Sequence, residues 1–475
     1  MIRRRRQLAA GAAALCVVAL ALLINGLSGG GLPRLPAPGL AGPGAAEALG
    51  VYDYVAAHRA AYVARATAGN AQVLYTMSPG GVFATAARVA RYRRLIDATV
   101  RGTGIPPAML EALVFVESAG RPEVIAGTSA ADAAGLTQIL AGTGRTLLGM
   151  RIDRGRSQRL TRRIELALAA GKVHLALALE RRRAAIDERF DPASELRATV
   201  RYLQIAEAHL GGRLDLAVAA YHAGIGNMQQ VLDDYDGGTA VDYARLYFDV
   251  SPIRHPAAYD LLYSLGDDSS LYLWRVLAAE QIMTLYRSDR AALARLNALE
   301  TAYPSDAVVL VPPTAYPGFA DPDALASAYE RGAVVPLPRN AGALHLDYAS
   351  SIGSSARRLG VSSAVYRGLR PAALRVLISI AAEVHVLDAS ATPLVVTGAV
   401  IDRRYEAAIG AVDAPASTGF TFSIERRYAS PAEAAAFQFV LDRLQSLNLI
   451  AWFRTPITIE ITVAPDARAA LAHGL

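Results

Sequence analysis

Residues 107–118 read PAMLEALVFVES. Leu110, Leu113 and Val114 follow the i, i+3, i+4 spacing of an apolar stripe, so the segment is expected to be a helix. The next member of that stripe, at i+7, is Glu117, which puts a carboxylate at a core-facing position. Burial disfavours the ionised form, so its pKa should rise toward the range a general acid needs near neutral pH. A buried glutamate satisfied by an arginine is the alternative that this one spacing leaves open.

Helical patterning extends outward on both sides, with runs at 84–101, 156–188, 194–210, 214–223 and 271–286 and no strand-helix-strand alternation. The helical block is expected to span 50–299. Prolines 304, 312, 313, 317, 322, 336 and 338 then interrupt regular helices, so 300–345 reads as a connector. Beyond it, helical patterns at 365–387 and 431–447 alternate with β-branched runs at 394–401, 418–424 and 457–463. The fold class is therefore a mainly α domain followed by a smaller α+β domain at 346–475. Arg375, Glu383 and His385 interrupt the apolar stretch near 374–386, which marks a core helix rather than a membrane span.

The chain has 475 residues, 53% hydrophobic and 19% charged, enough for extensive cores and too apolar for long disorder. Its formal charge is +6, but Arg3, Arg4, Arg5, Arg6 and Arg34 all precede the first acidic residue, Glu47, and without those five the remainder is +1. So neutral a body gives no electrostatic footprint for nucleic acid. Leu8 to Ile24 carry no charge and follow four arginines, the pattern of an export signal. Residues 1–27 are expected to be a cleaved signal peptide or an N-terminal membrane anchor, the only membrane contact foreseen, and the protein is expected in the cell envelope. The Gly/Pro-rich stretch at 28–49 reads as a flexible linker. Cys16, the only cysteine, lies inside the apolar run, which excludes an internal disulfide and a cysteine-bound metal.

Glu117-Ser118 is followed by Gly135-Leu136-Thr137-Gln138-Ile139 and, much later, by Ala220-Tyr221-His222-Ala223-Gly224. In this order the three segments resemble the lysozyme-like, SLT-type lytic transglycosylases, whose pattern is Glu-Ser, then Gly-Leu-Met-Gln, then Ala-Tyr-Asn-Ala-Gly. The resemblance covers about 85–235. It implies a lysozyme-like helical domain acting on peptidoglycan glycan strands without a cofactor. It also implies Glu117 as the catalytic acid/base and Ser118, Gly135, Gln138, Tyr221 and His222 as substrate-binding positions. Thr137 stands where the family has Met, Ala141 where it has Pro, and His222 where it has Asn. Asp191 or Ser194 is expected to cap the helix that follows Phe190. Before it lies an insertion at 150–190, carrying Arg151, Arg154, Arg156, Arg159, Arg162, Arg163, Arg181, Arg182 and Arg183. These read either as the solvated face of a helical hairpin or as contacts to an anionic wall polymer.

The C-terminal segments Val395-Val396-Thr397-Gly398, Arg403, Tyr405 and Ala416 to Ile424 look like a zinc D,D-carboxypeptidase/endopeptidase outline. That family's His, Gly, Asp and second His positions are occupied here by Ala416, Gly419, Ser423 and Glu460. Alanine cannot bind zinc and serine is a poor ligand, so no metal site is expected. A plain α+β domain of other ancestry remains open. Wall stem peptides or a protein partner are the ligands foreseen for it. For the whole chain, a lysozyme-type muramidase and a catalytically silent wall-binding scaffold stand as alternatives to the transglycosylase.

Overall fold

A computed structural model describes residues 54–302, 306–410 and 415–472. The expected export segment and the Gly/Pro linker lie outside the described residues. The described chain forms two compact units, one made of 73–243 and 261–297, the other of 54–72, 244–260 and the residues from 298 onward.

In the first unit the Glu117 helix, Pro107–Ser118, is central. Proline suits its first turn, where the missing N–H has no intrahelical partner. At its other end Ala119 is left-handed (φ 54°) and Gly120 follows at φ +74°. A Cβ on Gly120 would lie 2.8 Å from the Val89 nitrogen, so glycine lets the helix end press against the helix Val82–Ala90. Residues 109–115 are buried on every side, against Val82–Ala90, Arg93–Thr99 and Tyr272–Ser288. The sequence pattern suggests one apolar stripe; the helix is instead enclosed all round. The buried glutamate held by arginines also exists, but it is Glu111, paired with Arg93 at 3.2 Å and with Arg287.

The stretch read as an insertion forms a helical hairpin, Arg154–Ala169 and Val173–Ala184, turning at Gly171 (φ +69°) around a small core of Ile164, Ala167, Ala176 and Leu179. Its arginines are exposed except Arg183, whose guanidinium stacks 3.6 Å from the Phe190 ring and donates to Thr161 Oγ1 at 3.0 Å. Asp191, rather than Ser194, caps Pro192–His209, accepting from the Ser194 N–H at 2.8 Å. Gly224 (φ +89°) joins Leu214–Ala223 directly to Ile225–Asp236.

The second unit carries a five-stranded sheet in the order Leu346–Tyr348, Leu394–Gly398, Thr421–Glu425, Thr458–Val463, Ile450–Arg454. The first pair is parallel and the rest antiparallel. The helices Pro371–Leu387 and Pro431–Ser446 pack on it. Residues 54–72 and 244–260, which periodicity assigns to the helical block, belong to this unit. Arg443 donates to the Val250 carbonyl at 2.6 Å and to that of Phe248, Tyr259 meets Phe439 edge-on at 5.4 Å, and Arg65 pairs with Asp466 at 2.7 Å. Helical spacing identifies a buried face without identifying what buries it. Within the connector, Asp306–Leu310 and Pro322–Glu330 are helical.

Candidate active site

Glu117 is the penultimate residue of its helix, at the point where the enclosed segment emerges, and it is only partly buried. Its Oε1 accepts from the hydroxyl of Tyr272, the first residue of Tyr272–Ser288. Loss of hydration pushes the Glu117 carboxyl up to about 7, and the Tyr272 bond restrains that rise. At that value both protonation states are populated near neutral pH, which a group that first gives and then takes a proton requires. Tyr272 stacks against Tyr221 (centroids 6.3 Å) and against His222 (5.3 Å), forming an aromatic wall beside the carboxylate.

The loop 135–138 faces this helix end and is over-determined by buried bonds. Ser118, 2% exposed, donates its hydroxyl to the Leu136 carbonyl at 2.7 Å. The resemblance implies that Ser118 touches the sugar; its hydroxyl is instead committed to tying the loop to the Glu117 helix. From the opposite side Glu195, fully buried, accepts from the Leu136 N–H and from the Thr137 N–H at 2.9 Å. Burial raises the Glu195 pKa well above the ordinary range, against the pull of those N–H donors. Gly135 sits at φ +93°, where a Cβ would fall 1.9 Å from the Arg189 carbonyl and 2.5 Å from both Glu195 oxygens. Glycine is therefore required by space as well as by conformation. Its role is to admit the loop against Glu195, whether or not its backbone also meets substrate.

Thr137, at the family's methionine position, is buried and bonds Thr199 Oγ1 at 2.7 Å, so the hydroxyl has a partner where a thioether would have packed. Tyr221 donates to the Thr137 carbonyl at 2.8 Å. Burial and the neighbouring Glu117 charge both raise its pKa, which keeps Tyr221 neutral. His222 lies at the surface with Nδ1 2.9 Å from Ser269 Oγ. Gln138 is held in the left-handed region (φ 53°), uncommon for a side chain this long, with its amide nitrogen bonded to the Gly135 carbonyl at 2.7 Å. Its Oε1 has no protein donor among the hydrogen bonds of the described residues, leaving an acceptor for a ligand N–H.

Three residues of this site carry no motif. Tyr272 and Arg189 lie far from Glu117 in sequence. Glu195 shows the signal that marks Glu117, a carboxylate on the buried stripe Leu196, Thr199, Val200 and Leu203. Arg189, fully buried, pairs with Asp187 at 2.8 Å and donates to the carbonyls of Asp132 (2.7 Å) and Ala130 (2.8 Å). Asp132, in the loop before Gly135, accepts the Ser129 N–H through one carboxylate oxygen at 2.8 Å.

In the second unit, Ser423 and Glu460 are direct cross-strand neighbours, whereas Ala416 lies in the short 3-10 turn Ala416–Thr418. Among the described residues no group of three or more His, Cys, Asp or Glu side chains is placed to hold a metal ion.

These features define a class: a mainly helical, lysozyme-like domain with a part-buried acid at a helix end, followed in the chain by a smaller C-terminal region built on a sheet. The family model of the Transglycosylase SLT domain matches residues 171–240, which supports an SLT-type lytic transglycosylase with peptidoglycan as substrate. No curated protein matches the chain. The matched stretch contains Glu195 and Tyr221, and Glu117 and the loop 135–138 precede it. The bonds from Glu195 and Tyr221 to that loop join the unmatched motifs to the matched segment in one site.

Proposed function

We propose that the first unit is an exported lytic transglycosylase that cleaves MurNAc-GlcNAc bonds with Glu117 as its single acid/base. The observation that carries this reading is the state of Glu117, a part-open carboxyl raised to about 7 whose one hydrogen bond among the described residues comes from Tyr272. Most glycoside hydrolases use two carboxylates, ~5 Å apart for a covalent route or ~6.5–9.5 Å apart to admit a water. Glu195 is sealed under the loop and so is not presented for that second role, and Asp132 has one oxygen bonded to the Ser129 N–H.

The missing nucleophile then comes from the substrate. Glu117 protonates the glycosidic oxygen as its bond to C1 breaks. As carboxylate it takes the proton from the MurNAc C6 hydroxyl while that oxygen bonds to C1, so no water is consumed. The 2-acetamido oxygen assists at C1, and the Gln138 Oε1 accepts from the acetamido N–H. Tyr221, backed by the buried ring of Tyr272, packs the sugar ring and excludes water, positioning that is worth several kcal/mol. The second unit, with its ligand positions replaced, binds wall peptide or a partner rather than cutting stem peptides.

Digestion of purified sacculi followed by mass spectrometry of the released fragments tests this. Ends of 1,6-anhydroMurNAc are expected. Reducing MurNAc ends would replace the reading with a muramidase, and absence of any release would replace it with a silent wall-binding protein.

A further inference from the structure

Among the described residues the hairpin Arg154–Ala169/Val173–Ala184 makes no hydrogen bond to Glu117 or the loop 135–138, its Ser157 reaching only Asp187 behind them, yet it concentrates two unusual features. Leu166, Leu168, Val173, Leu175 and Leu177 are 70, 52, 54, 46 and 45% exposed, all within two turns of the bend at Gly171. Between residues 154 and 184 nine cationic side chains face two acidic ones, Glu165 and Glu180. That excess, +7, exceeds the +6 of the entire chain.

The arrangement selects among partners. At 100° per residue, Leu166 and Leu168 point ~160° apart, and so do Val173 and Leu175. A protein groove takes a one-sided stripe, whereas apolar side chains on more than one side of a tip, interleaved here with exposed Glu165, Lys172 and His174, suit shallow insertion among lipid headgroups. A water-soluble anionic polymer would satisfy the arginines and leave the leucines in water. Along the helix axes the apolar ring is ~6 Å deep, within the ~5–10 Å that interfacial elements bury. Arg162, Arg163, Arg181 and Arg182 follow ~10–13 Å behind the bend, at the depth of lipid phosphates. Lys172, at the bend itself, has a long stem that can carry its ammonium back to that level.

We propose that the hairpin tip docks on an anionic phospholipid surface, inserting its leucines between headgroups while its arginines bind the phosphates. This contact is separate from any held by residues 1–27 and independent of the catalytic reading.

The test uses the full chain with Cys16→Ser and Leu175→Cys, the new thiol carrying an environment-sensitive dye. Vesicles contain equal parts phosphatidylglycerol and phosphatidylcholine, with bromine on the acyl chains as quencher. A dye at 175 reports only the tip, whatever the N-terminal segment does. Blue-shifted, quenched emission is expected, with apparent affinity for the tip contact falling at least ~10-fold when Arg162, Arg163, Arg181 and Arg182 are changed to Glu. In the unaltered chain, acylation of Lys172, the only lysine, by a water-soluble reagent should slow several-fold on the same vesicles. A dye that stays in water on vesicle-bound protein overturns the proposal. So does equal quenching on pure phosphatidylcholine, or a response only to a soluble polyanion. Sacculus digestion by the charge-reversed protein should be unchanged, which keeps this test apart from that of the enzyme.

Discussion

Replacing Glu117 with Gln should do two things at once, abolish lysis and stabilise the fold in a pH-dependent way. The carboxyl is raised by burial from 4.5 to about 7, so between those values the folded state holds a proton that the unfolded chain releases. Raising the pH through that window therefore removes stability. The cost is absent below 4.5 and complete above about 7. A displacement of this size corresponds to about 3 kcal/mol, and because Glu117 is partly open to water about half of that is expected. For a unit of this size ~1.5 kcal/mol raises Tm by roughly 3–6 °C. Calorimetry at pH 8 should show that gain in the Gln variant, and calorimetry at pH 4 should show none. Turbidity loss of sacculi should fall by ~100- to 10,000-fold. A variant that lyses near the wild-type rate, or whose Tm difference is the same at both pH values, would refute the reasoning.

Tyr272→Phe removes the one hydrogen bond that holds the Glu117 pKa down, so the alkaline limb of the kcat/KM profile should move up by roughly one pH unit while the protein stays folded; an unmoved limb would contradict the assignment. Gly135→Ala drives a Cβ into the Arg189 carbonyl and Glu195, and the displaced loop should cost ~100-fold in lysis together with a lower Tm. Activity on sacculi should survive EDTA, and elemental analysis should find no stoichiometric zinc, because Ala416 and Ser423 supply no adequate ligands.

What the sequence made legible was whatever is encoded locally. The Glu117 helix, the glycine of the loop and the tyrosine before Gly224 each belong to a short pattern, and their order along the chain ties them together. Helices 371–387 and 431–446 and three of the five strands were readable for the same reason, since period and β-branching are local properties. The strand Ile450–Arg454 was missed: it begins two residues after Asn448, whose left-handed turn (φ 52°) no glycine announces. Tyr272 and Arg189 belong to no short pattern, because the contacts that give them their roles, to Glu117 and to the carbonyls of Ala130 and Asp132, are with residues distant in sequence. Residues 244–260 carry helical periodicity, but the Phe248 and Val250 carbonyls are satisfied by Arg443, almost two hundred residues later, a pairing no local pattern shows.

Three glutamates in the first unit are withdrawn from bulk water to differing degrees, and their partners separate their roles. Glu111 is neutralised by two arginines on neighbouring helices, so its charge is spent on packing. Glu195 accepts from two backbone N–H groups and has no open side, so it fixes the shape of the loop. Glu117 has one neutral donor, Tyr272, and an open side. A carboxylate buried without a cation or backbone donors weakens the fold, and proteins keep such groups where function needs them. Glu195 and Ser118 hold the loop from opposite sides, so the position of Gln138 relative to Glu117 is set before a sugar arrives. Positioning fixed in advance matters most to an enzyme whose nucleophile is a hydroxyl on its own substrate, because the reacting oxygen is then placed by how the ring is held. The same pre-set geometry is what the proposed closure of a substrate hydroxyl onto C1 would require.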